Sequence, residues 1–203
     1  MKSSFAQCLV LVAVGVFAPG VSSAESADSI NLGIGGLNPM AYCSAKVLTL
    51  EYEHRLTPTT AFLGRGSGVN YRYDNSHYLE DGRLRGMDVG ARYYPAGGMQ
   101  GFFIGGTLGY WKQDMTFIQY QSTPDEWQGK ADHNSLRLNI DVGDRIPIGG
   151  TNVSIMPEVN VGKFFMSSSC EATAPASRIG TPCSQKSEVN YYIFVGLLAG
   201  LAF

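Results

Sequence analysis

Eight stretches in which hydrophobic residues recur at every second position follow one another along this chain of 203 residues. Alternation with a period of two is typical of β-strands that have one apolar face, and the spacing typical of amphipathic helices is absent. The chain is therefore expected to be all-β. The predicted strands lie near residues 29–38, 46–56, 60–74, 83–95, 101–117, 133–148, 151–166 and 187–203.

The lengths of these stretches and of the segments between them narrow the fold class. Most stretches contain ten residues or more, whereas a strand of a globular sheet has about five or six and a strand that crosses a bilayer at a tilt needs about 9–11. Short turns follow every second stretch and long polar segments follow the others. One end of the sheet thus carries turns and the other carries loops, as in outer-membrane barrels. We predict an eight-stranded antiparallel up-and-down transmembrane β-barrel.

The first 24 residues read as a cleavable signal peptide. A basic start at Lys2, a short apolar core and a Ser-Ser-Ala ending at Ala24 match the pattern that signal peptidase cuts. The apolar core is shorter than the roughly 20 residues that a membrane-spanning helix needs. We therefore predict a signal peptide over residues 1–24 and a single barrel domain over residues 25–203. The net charge of −2 gives no indication of nucleic-acid binding.

The two faces of the alternating strands differ in composition. One face is almost wholly hydrophobic, and the other carries glycines and ionisable residues of both signs without lysine. A water-facing sheet usually includes lysine, whereas a confined network favours the planar guanidinium group of arginine. We predict that the ionisable face is inside the barrel; a solvated charged face on a soluble barrel with an apolar lumen is the alternative. The predicted lumen network consists of Glu51, Glu53, Arg55, Asp88, Arg92, Arg137, Asp141, Arg145 and Glu158.

The hydrophobic face has a few bulky cations, all near its long-loop end. Long basic side chains can extend their charge to a membrane interface, where anionic headgroups attract it. We hypothesise that they form a belt in contact with lipopolysaccharide phosphates; ordinary strand-end charges are the alternative. The four residues are Lys46, Arg85, Lys112 and Lys163.

The chain ends in NYYIFVGLLAGLAF, with an unbroken hydrophobic set at alternate positions and Phe203 as the last residue. This ending resembles the C-terminal strand of bacterial outer-membrane proteins, which ends in phenylalanine. Together with the strand pattern it makes the chain similar to the small OmpA, OmpX and opacity-type barrels. The resemblance implies an outer-membrane location, insertion by the outer-membrane machinery with Phe203 as part of the signal, and lipid and lipopolysaccharide as neighbours.

The function expected of such a barrel is non-enzymatic. Eight strands enclose a lumen that side chains can fill, so a general diffusion pore is not expected. The surface loops are expected to serve envelope integrity, adhesion or contact with an extracellular or host ligand. No cofactor site, metal-ligand spacing or catalytic constellation stands out in the sequence.

Two other functions stay open. His133 and Ser135 form a His-x-Ser pair of the kind that could activate a hydroxyl nucleophile, which would suit an enzyme that modifies lipid A. Their parity places them on the lumen face, away from lipid. The charged lumen would alternatively suit a narrow gated channel.

Three cysteines follow the signal peptide. Because exported proteins meet an oxidising compartment, we predict a disulfide between Cys170 and Cys183; the state of Cys43 stays open. Two sites break the strand pattern. Pro157 cannot donate to a ladder, and the sequence GRGSG around Arg65 interrupts the alternation, so we expect a bulge near Pro157 and a bulge or a shifted register near Arg65.

Overall fold

A computed structural model describes residues 27–37, 43–120, 123, 126–173 and 191–203. The predicted signal peptide, and the predicted disulfide because it involves Cys183, lie outside the described residues. Among the described residues there is no helix with the length and hydrophobicity needed to cross a bilayer. The strands are β1 Asp28–Leu37, β2 Cys43–Arg55, β3 Thr60–Asp74, β4 Tyr78–Tyr93, β5 Gly101–Gln119, β6 Trp127–Pro147, β7 Val153–Thr173 and β8 Tyr191–Ala202.

The eight strands close into a barrel in which every neighbouring pair is antiparallel. Strand β1 pairs with β2 on one side and with β8 on the other. The closing ladder runs from Ser29 opposite Ala202 to Leu37 opposite Phe194. The predicted up-and-down barrel is confirmed.

The hydrophobic face of the wall is on the outside. Val89 and Ile140 are each 57% exposed and Leu197 is 50% exposed, whereas Glu51 and Arg137 are 1% and 6% exposed. A barrel that is soluble in water would place these side chains the other way round. The orientation excludes a soluble barrel with an apolar lumen and gives the outer wall the character of a lipid-facing surface.

The irregularity expected near Arg65 is absent. The ladder between β2 and β3 runs without interruption from Cys43 opposite Tyr73 to Arg55 opposite Ala61. The expectation was wrong because β3 turns glycines outward, at positions 64, 66 and 68. Glycine has no side chain that is either hydrophobic or polar. The strand therefore alternates between its two faces as usual, but the sequence shows no alternation of hydrophobic and polar residues at these positions.

The bulge expected at Pro157 is also absent. Gly143 lies opposite Glu158 and Ile146 opposite Ile155, so the register is the same on both sides of the proline. The ladder from β7 to β8 continues through Pro157 itself, opposite Leu197. The expectation was wrong because the missing amide of a proline interrupts the ladder locally without requiring an inserted residue.

The strands differ in length around the barrel. Strands β1, β2 and β8 contain 10, 13 and 12 residues, while β5, β6 and β7 contain 19, 21 and 21. The additional residues lie at the loop end, where β6 begins earlier and β7 ends later than the sequence pattern indicates. The outward side chains of this part of β6, Gln128, Lys130 and Asp132, are polar, so the hydrophobic half of the alternation is lost there.

Candidate functional site

The lumen is filled at its centre by a network of buried ion pairs around Arg92. This arginine is on β4, and its side chain is 0% exposed. Its Nε donates to Asp141 Oδ2 at 2.7 Å, and its Nη2 donates to Glu158 Oε2 at 2.8 Å. Its Nη1 donates to Glu51 Oε1 at 2.5 Å and also binds Glu53. One guanidinium group therefore joins carboxylates from β2, β6 and β7.

Two further arginines extend this network. Arg65 on β3 donates from Nη2 to Glu51 Oε2 at 2.7 Å and from Nη1 to Asn160 Oδ1 at 2.7 Å. Arg145 on β6 donates to Glu53 Oε2 at 2.5 Å and to Ser29 Oγ at 3.1 Å. Guanidinium groups suit such a site because their donors form a rigid planar fork.

A second set of buried contacts, formed around Asp88, lies beside the network around Arg92. Arg137 donates from Nε and Nη2 to the two oxygens of Asp88, at 2.9 and 2.5 Å. The Trp111 indole also donates to Asp88 Oδ1, at 2.9 Å. The Arg137 guanidinium lies 4.3 Å from the centroid of the Trp111 ring, a cation–π distance. Asp88 is on β4, and its carboxylate is therefore bound by one residue of β5 and one residue of β6.

The structure places eight of the nine predicted network residues inside the barrel, each at most 6% exposed. The ninth, Arg55, is half-buried at the turn end of β2. Sequence reasoning missed Arg65, which belongs to the network although glycines flank it. Parity counted back from the buried Tyr71 along β3 would have identified it.

Apolar layers lie at both ends of this network. Toward the turns, Ala61, Tyr94, Met99 and Phe103 pack together. Toward the loops, a larger cluster includes Val47, Val69, Tyr71, Leu84, Trp111, Phe164, Tyr192 and Phe194. Two cavities of about 30 Å³ each, in contact with Arg65 and Arg145 respectively, are found beside the network. Each of these two cavities has room for about two water molecules.

The four predicted belt residues are on the outer wall. Arg85 and Lys112 are directly opposite each other on β4 and β5, and both approach Asp114, at 3.0 and 3.4 Å. Lys163 on β7 lies 4.7 Å from the ring centroid of Tyr191 and is half-buried. Lys46 is exposed on β2, separated by one strand from Arg85. The structure therefore brings two of the four into contact with a shared carboxylate.

Comparison with known proteins identifies the fold. The chain is similar to a major outer membrane protein from Thermus thermophilus, with a TM-score of 0.51, 14% identity, and coverage of 87% of this chain and 100% of that one. It is also similar to Ail, the attachment invasion locus protein of Yersinia pestis, with a TM-score of 0.51, 13% identity, and coverage of 88% and 97%. The outer membrane protein OprG from Pseudomonas aeruginosa matches with a TM-score of 0.48, 13% identity, and coverage of 88% and 97%.

The chain has the fold of the small outer-membrane β-barrels. No family model and no curated protein sequence matches it. The fold and the hydrophobic outer wall together place the protein in the bacterial outer membrane, with membrane lipid against the wall. The sequence-based resemblance to small eight-stranded outer-membrane barrels is confirmed at the level of the fold.

In an outer-membrane barrel, position along a strand corresponds to depth in the bilayer. The four belt residues lie 8 to 11 residues from the turn-end residues of their strands. A rise of about 3.4 Å per residue and a tilt of about 40° place them about 21–29 Å above the turns, near the upper edge of a hydrocarbon band about 25 Å tall. Arg83 on β4, which the sequence reading did not include, lies opposite Asp114 at the same edge.

The His-x-Ser pair lies inside the barrel. His133 and Ser135 are 1% and 2% exposed on the lumen face of β6. The two ring nitrogens of His133 and the hydroxyl oxygen of Ser135 have no hydrogen-bond partner. A nucleophilic serine needs a hydrogen bond to its base, so the pair lacks the contact that would activate the hydroxyl. No group of three or more His, Cys, Asp or Glu side chains in the described part of the chain is arranged to hold a metal ion.

The terminal Phe203 lies on the outer wall at the turn end, 59% exposed. Its amide donates to the Asp28 carbonyl at 2.9 Å. The Asp28 carboxylate in turn accepts from the Tyr52 hydroxyl at 2.5 Å and lies 2.8 Å from His54 Nδ1. Contacts through Asp28 thus connect the end of the chain with β1 and β2 where the barrel closes.

Proposed function

We propose that this protein is a non-enzymatic, non-conducting outer-membrane barrel that acts through its outer surface. The observation that supports this proposal most directly is the network around Arg92, which joins residues from opposite walls with no exposed side chain. A path for solutes would have to separate these ion pairs. The role of the barrel wall is then to hold a surface structure in the membrane.

Conductance tests the sealed lumen. The refolded protein is inserted into a planar bilayer, with a large trimeric porin as the positive control. We expect no current steps from the wild-type barrel. Regular steps that disappear in a variant with a bulkier lumen, such as Ser67→Phe, would instead identify a narrow channel.

The surface structure is the part of β5 and β6 that extends beyond the level of the cation belt. Met115 and Ala131 are directly opposite each other on these strands. Replacing residues 116–130 by an Asn-Gly turn would therefore connect two paired positions and shorten the hairpin without changing its register. We infer that this hairpin serves adhesion or surface contact. The name of the Yersinia pestis protein, attachment invasion locus protein, suggests an adherence assay.

The assay compares adherence to cultured host cells of bacteria that produce the full or the shortened barrel. For both proteins, the unheated sample should migrate differently on gels from the heated sample, because this shift reports a closed barrel. We expect lower adherence with the shortened hairpin. Equal adherence would argue for a role in envelope integrity, to be checked by detergent sensitivity of a strain that lacks the protein.

Contact with lipopolysaccharide is the second part of the proposal. The level of Lys46, Arg85, Lys112 and Lys163 near the upper edge of the hydrocarbon band supports it, because phosphates of the outer leaflet lie at that height. Changing all four to glutamine should weaken binding to lipopolysaccharide vesicles but not to phosphatidylcholine vesicles. A control variant changes Arg72 and Lys130, which lie farther from the turns. Unchanged binding in the belt variant would remove this part of the proposal.

The enzyme alternative has its own test. Mass spectrometry of lipid A from cells with and without the protein should show the same species. A modified lipid A that disappears in Ser135→Ala would contradict the non-enzymatic proposal.

A further inference from the structure

Strand β3 contributes a groove to the lipid-facing wall. Gly64, Gly66 and Gly68 face outward, and a Cβ added at Gly66 or Gly68 would meet no atom within 4 Å. The two neighbouring strands carry long hydrophobic side chains opposite these glycines. They are Leu48, Leu50 and Tyr52 on β2 and Met87 and Val89 on β4, each between 42% and 74% exposed. Because side chains stand roughly perpendicular to a sheet, the three glycines form the floor of a groove between two ridges, the glycine groove.

A row of hydrogen-bond donors crosses the loop-side end of the glycine groove. Lys46 on β2 is directly opposite Asn70 on β3, and Asn70 is directly opposite Arg83 on β4. All three side chains are exposed on the outer wall. Directly opposite residues have Cβ atoms about 5 Å apart, so the two basic side chains start about 10 Å apart with the Asn70 amide between them. One phosphate group is therefore within reach of all three residues, the donor row.

The two cations of the donor row lack the carboxylate partner that their neighbours have. Arg83 is opposite Asp114 in the ladder between β4 and β5, but Asp114 is shared by Arg85 and Lys112, at 3.0 and 3.4 Å. Among the residues that the structure describes, neither Lys46 nor Arg83 makes an ion pair. Two positive charges without a counter-charge at a membrane interface favour an anionic headgroup.

The depth of the glycine groove matches one leaflet of the bilayer. The glycines lie 4, 6 and 8 residues from Thr60 at the turn end of β3, and the donor row lies 9 or 10 residues from the turn-end residues of its strands. A rise of about 3.4 Å per residue and a tilt of about 40° place the glycines about 10–21 Å above the turns and the donor row at about 23–26 Å. In a hydrocarbon band about 25 Å tall, the groove thus runs from the upper edge to the midplane. An acyl chain of a lipid in the outer leaflet covers the same distance.

We propose that the glycine groove binds one lipid A molecule, with a phosphate on the donor row and an acyl chain along the three glycines. This inference rests on the lipopolysaccharide contact proposed above and deepens it, because the contact becomes a defined site for one lipid. Phosphate accepts strong hydrogen bonds from both cations, and the two ridges give the acyl chain more van der Waals contact than a flat wall. The sequence shows no such site because its three donors come from three strands.

Native mass spectrometry of the refolded barrel in detergent, titrated with bisphosphorylated lipid A, tests the site. We expect one tightly bound lipid per barrel. Lys46→Gln combined with Arg83→Gln should weaken this binding at least tenfold. Lys112→Gln combined with Lys163→Gln is the matched control, because it removes two charges from the same level of the wall away from the donor row. The control should bind lipid A nearly as the wild type does.

The glycine groove can be tested without changing a charge. Gly66→Leu fills the groove, and we expect it to weaken binding at least tenfold. Gly106→Leu on β5 is its control, because Gly106 is exposed at a similar depth and a Cβ there would come no closer than 3.8 Å to another atom. This control should bind as the wild type does. Comparison of unheated and heated samples on gels identifies any variant that does not close.

The outcomes separate this inference from the proposal on which it rests. Equal weakening by the two double variants would keep the lipopolysaccharide contact but overturn the defined site, and so would unchanged binding in Gly66→Leu. Displacement of lipid A by an equal amount of phosphatidylglycerol would overturn it too, because the groove would then accept any anionic lipid. Absence of bound lipid A in the wild type would also overturn it, and the vesicle assay described above would then decide whether the contact itself fails.

Discussion

Arginine pairs with carboxylates on both faces of the barrel wall. Inside, Arg92 Nε lies 2.7 Å from Asp141 Oδ2, and both side chains are 0% exposed. Outside, Arg85 lies 3.0 Å from Asp114 Oδ2, and its side chain is 70% exposed. The distances are similar, but the energy of a charge pair depends on the surrounding dielectric and on what remains when one partner is lost. The inner pairs should therefore hold the barrel together, whereas the outer pairs should adjust its surface.

Removal of Arg92 should have the largest effect. Arg92→Met leaves the carboxylates of β2, β6 and β7 buried together without their common partner, so we expect a loss of about 3–5 kcal/mol in the free energy of unfolding. Urea titration in lipid vesicles measures it. Arg85→Met is the control on the outer wall. Equal losses in the two variants would remove the distinction between the faces.

A charge placed on the hydrophobic face should have the next largest effect. Leu50 is 57% exposed and five residues from Arg55, near the middle of the hydrocarbon band. Leu50→Arg should destabilise the barrel by about 2–4 kcal/mol because it places a charge in hydrocarbon. The adjacent Glu51 is also charged, but it is on the lumen face and is paired with arginines there. Leu50→Phe should have little effect. If Leu50→Arg were neutral in lipid vesicles, this face would not lie in hydrocarbon.

A single methyl group distinguishes the two faces at a smaller scale. A Cβ at Gly109 would overlap Asp88 Oδ1 and come 2.5 Å from the Met87 carbonyl, whereas a Cβ at Gly66 would meet nothing within 4 Å. Gly109→Ala should cost about 1–3 kcal/mol through overpacking, and Gly66→Ala should cost nothing measurable. The same unfolding measurement compares them, and a neutral Gly109→Ala would mean that the inner network can shift to make room.

The smallest effect is expected at the outer ion pair. Asp114→Asn removes the carboxylate that Arg85 and Lys112 share, and exposed pairs contribute about 0–1 kcal/mol. The change should disappear at high salt because exposed charges are screened. A larger, salt-independent loss would show that this cluster behaves like the inner network.

Sequence reasoning located most of the inner network, and its failures have a common cause. Glu51, Asp88 and Arg137 were found because each alternates with hydrophobic residues on its own strand. Arg65 was missed, and a bulge was expected in its place, because its outward neighbours are glycines. The sequence pattern predicts a loop for the loop-end part of β6 because the outward residues there, such as Lys130, are polar. Alternation is readable only where the two faces meet different surroundings.

The sequence alone determined that the chain forms eight long strands, which side chains share a face, and that turns and loops are sorted to opposite ends. These properties are local, since the side chains of a strand point alternately to its two sides. Only the tertiary structure decided which carboxylates surround Arg92, that Pro157 keeps the register, and that the two ring nitrogens of His133 make no hydrogen bond. Those contacts join residues distant in sequence, and their pairing depends on the register and closure of the barrel.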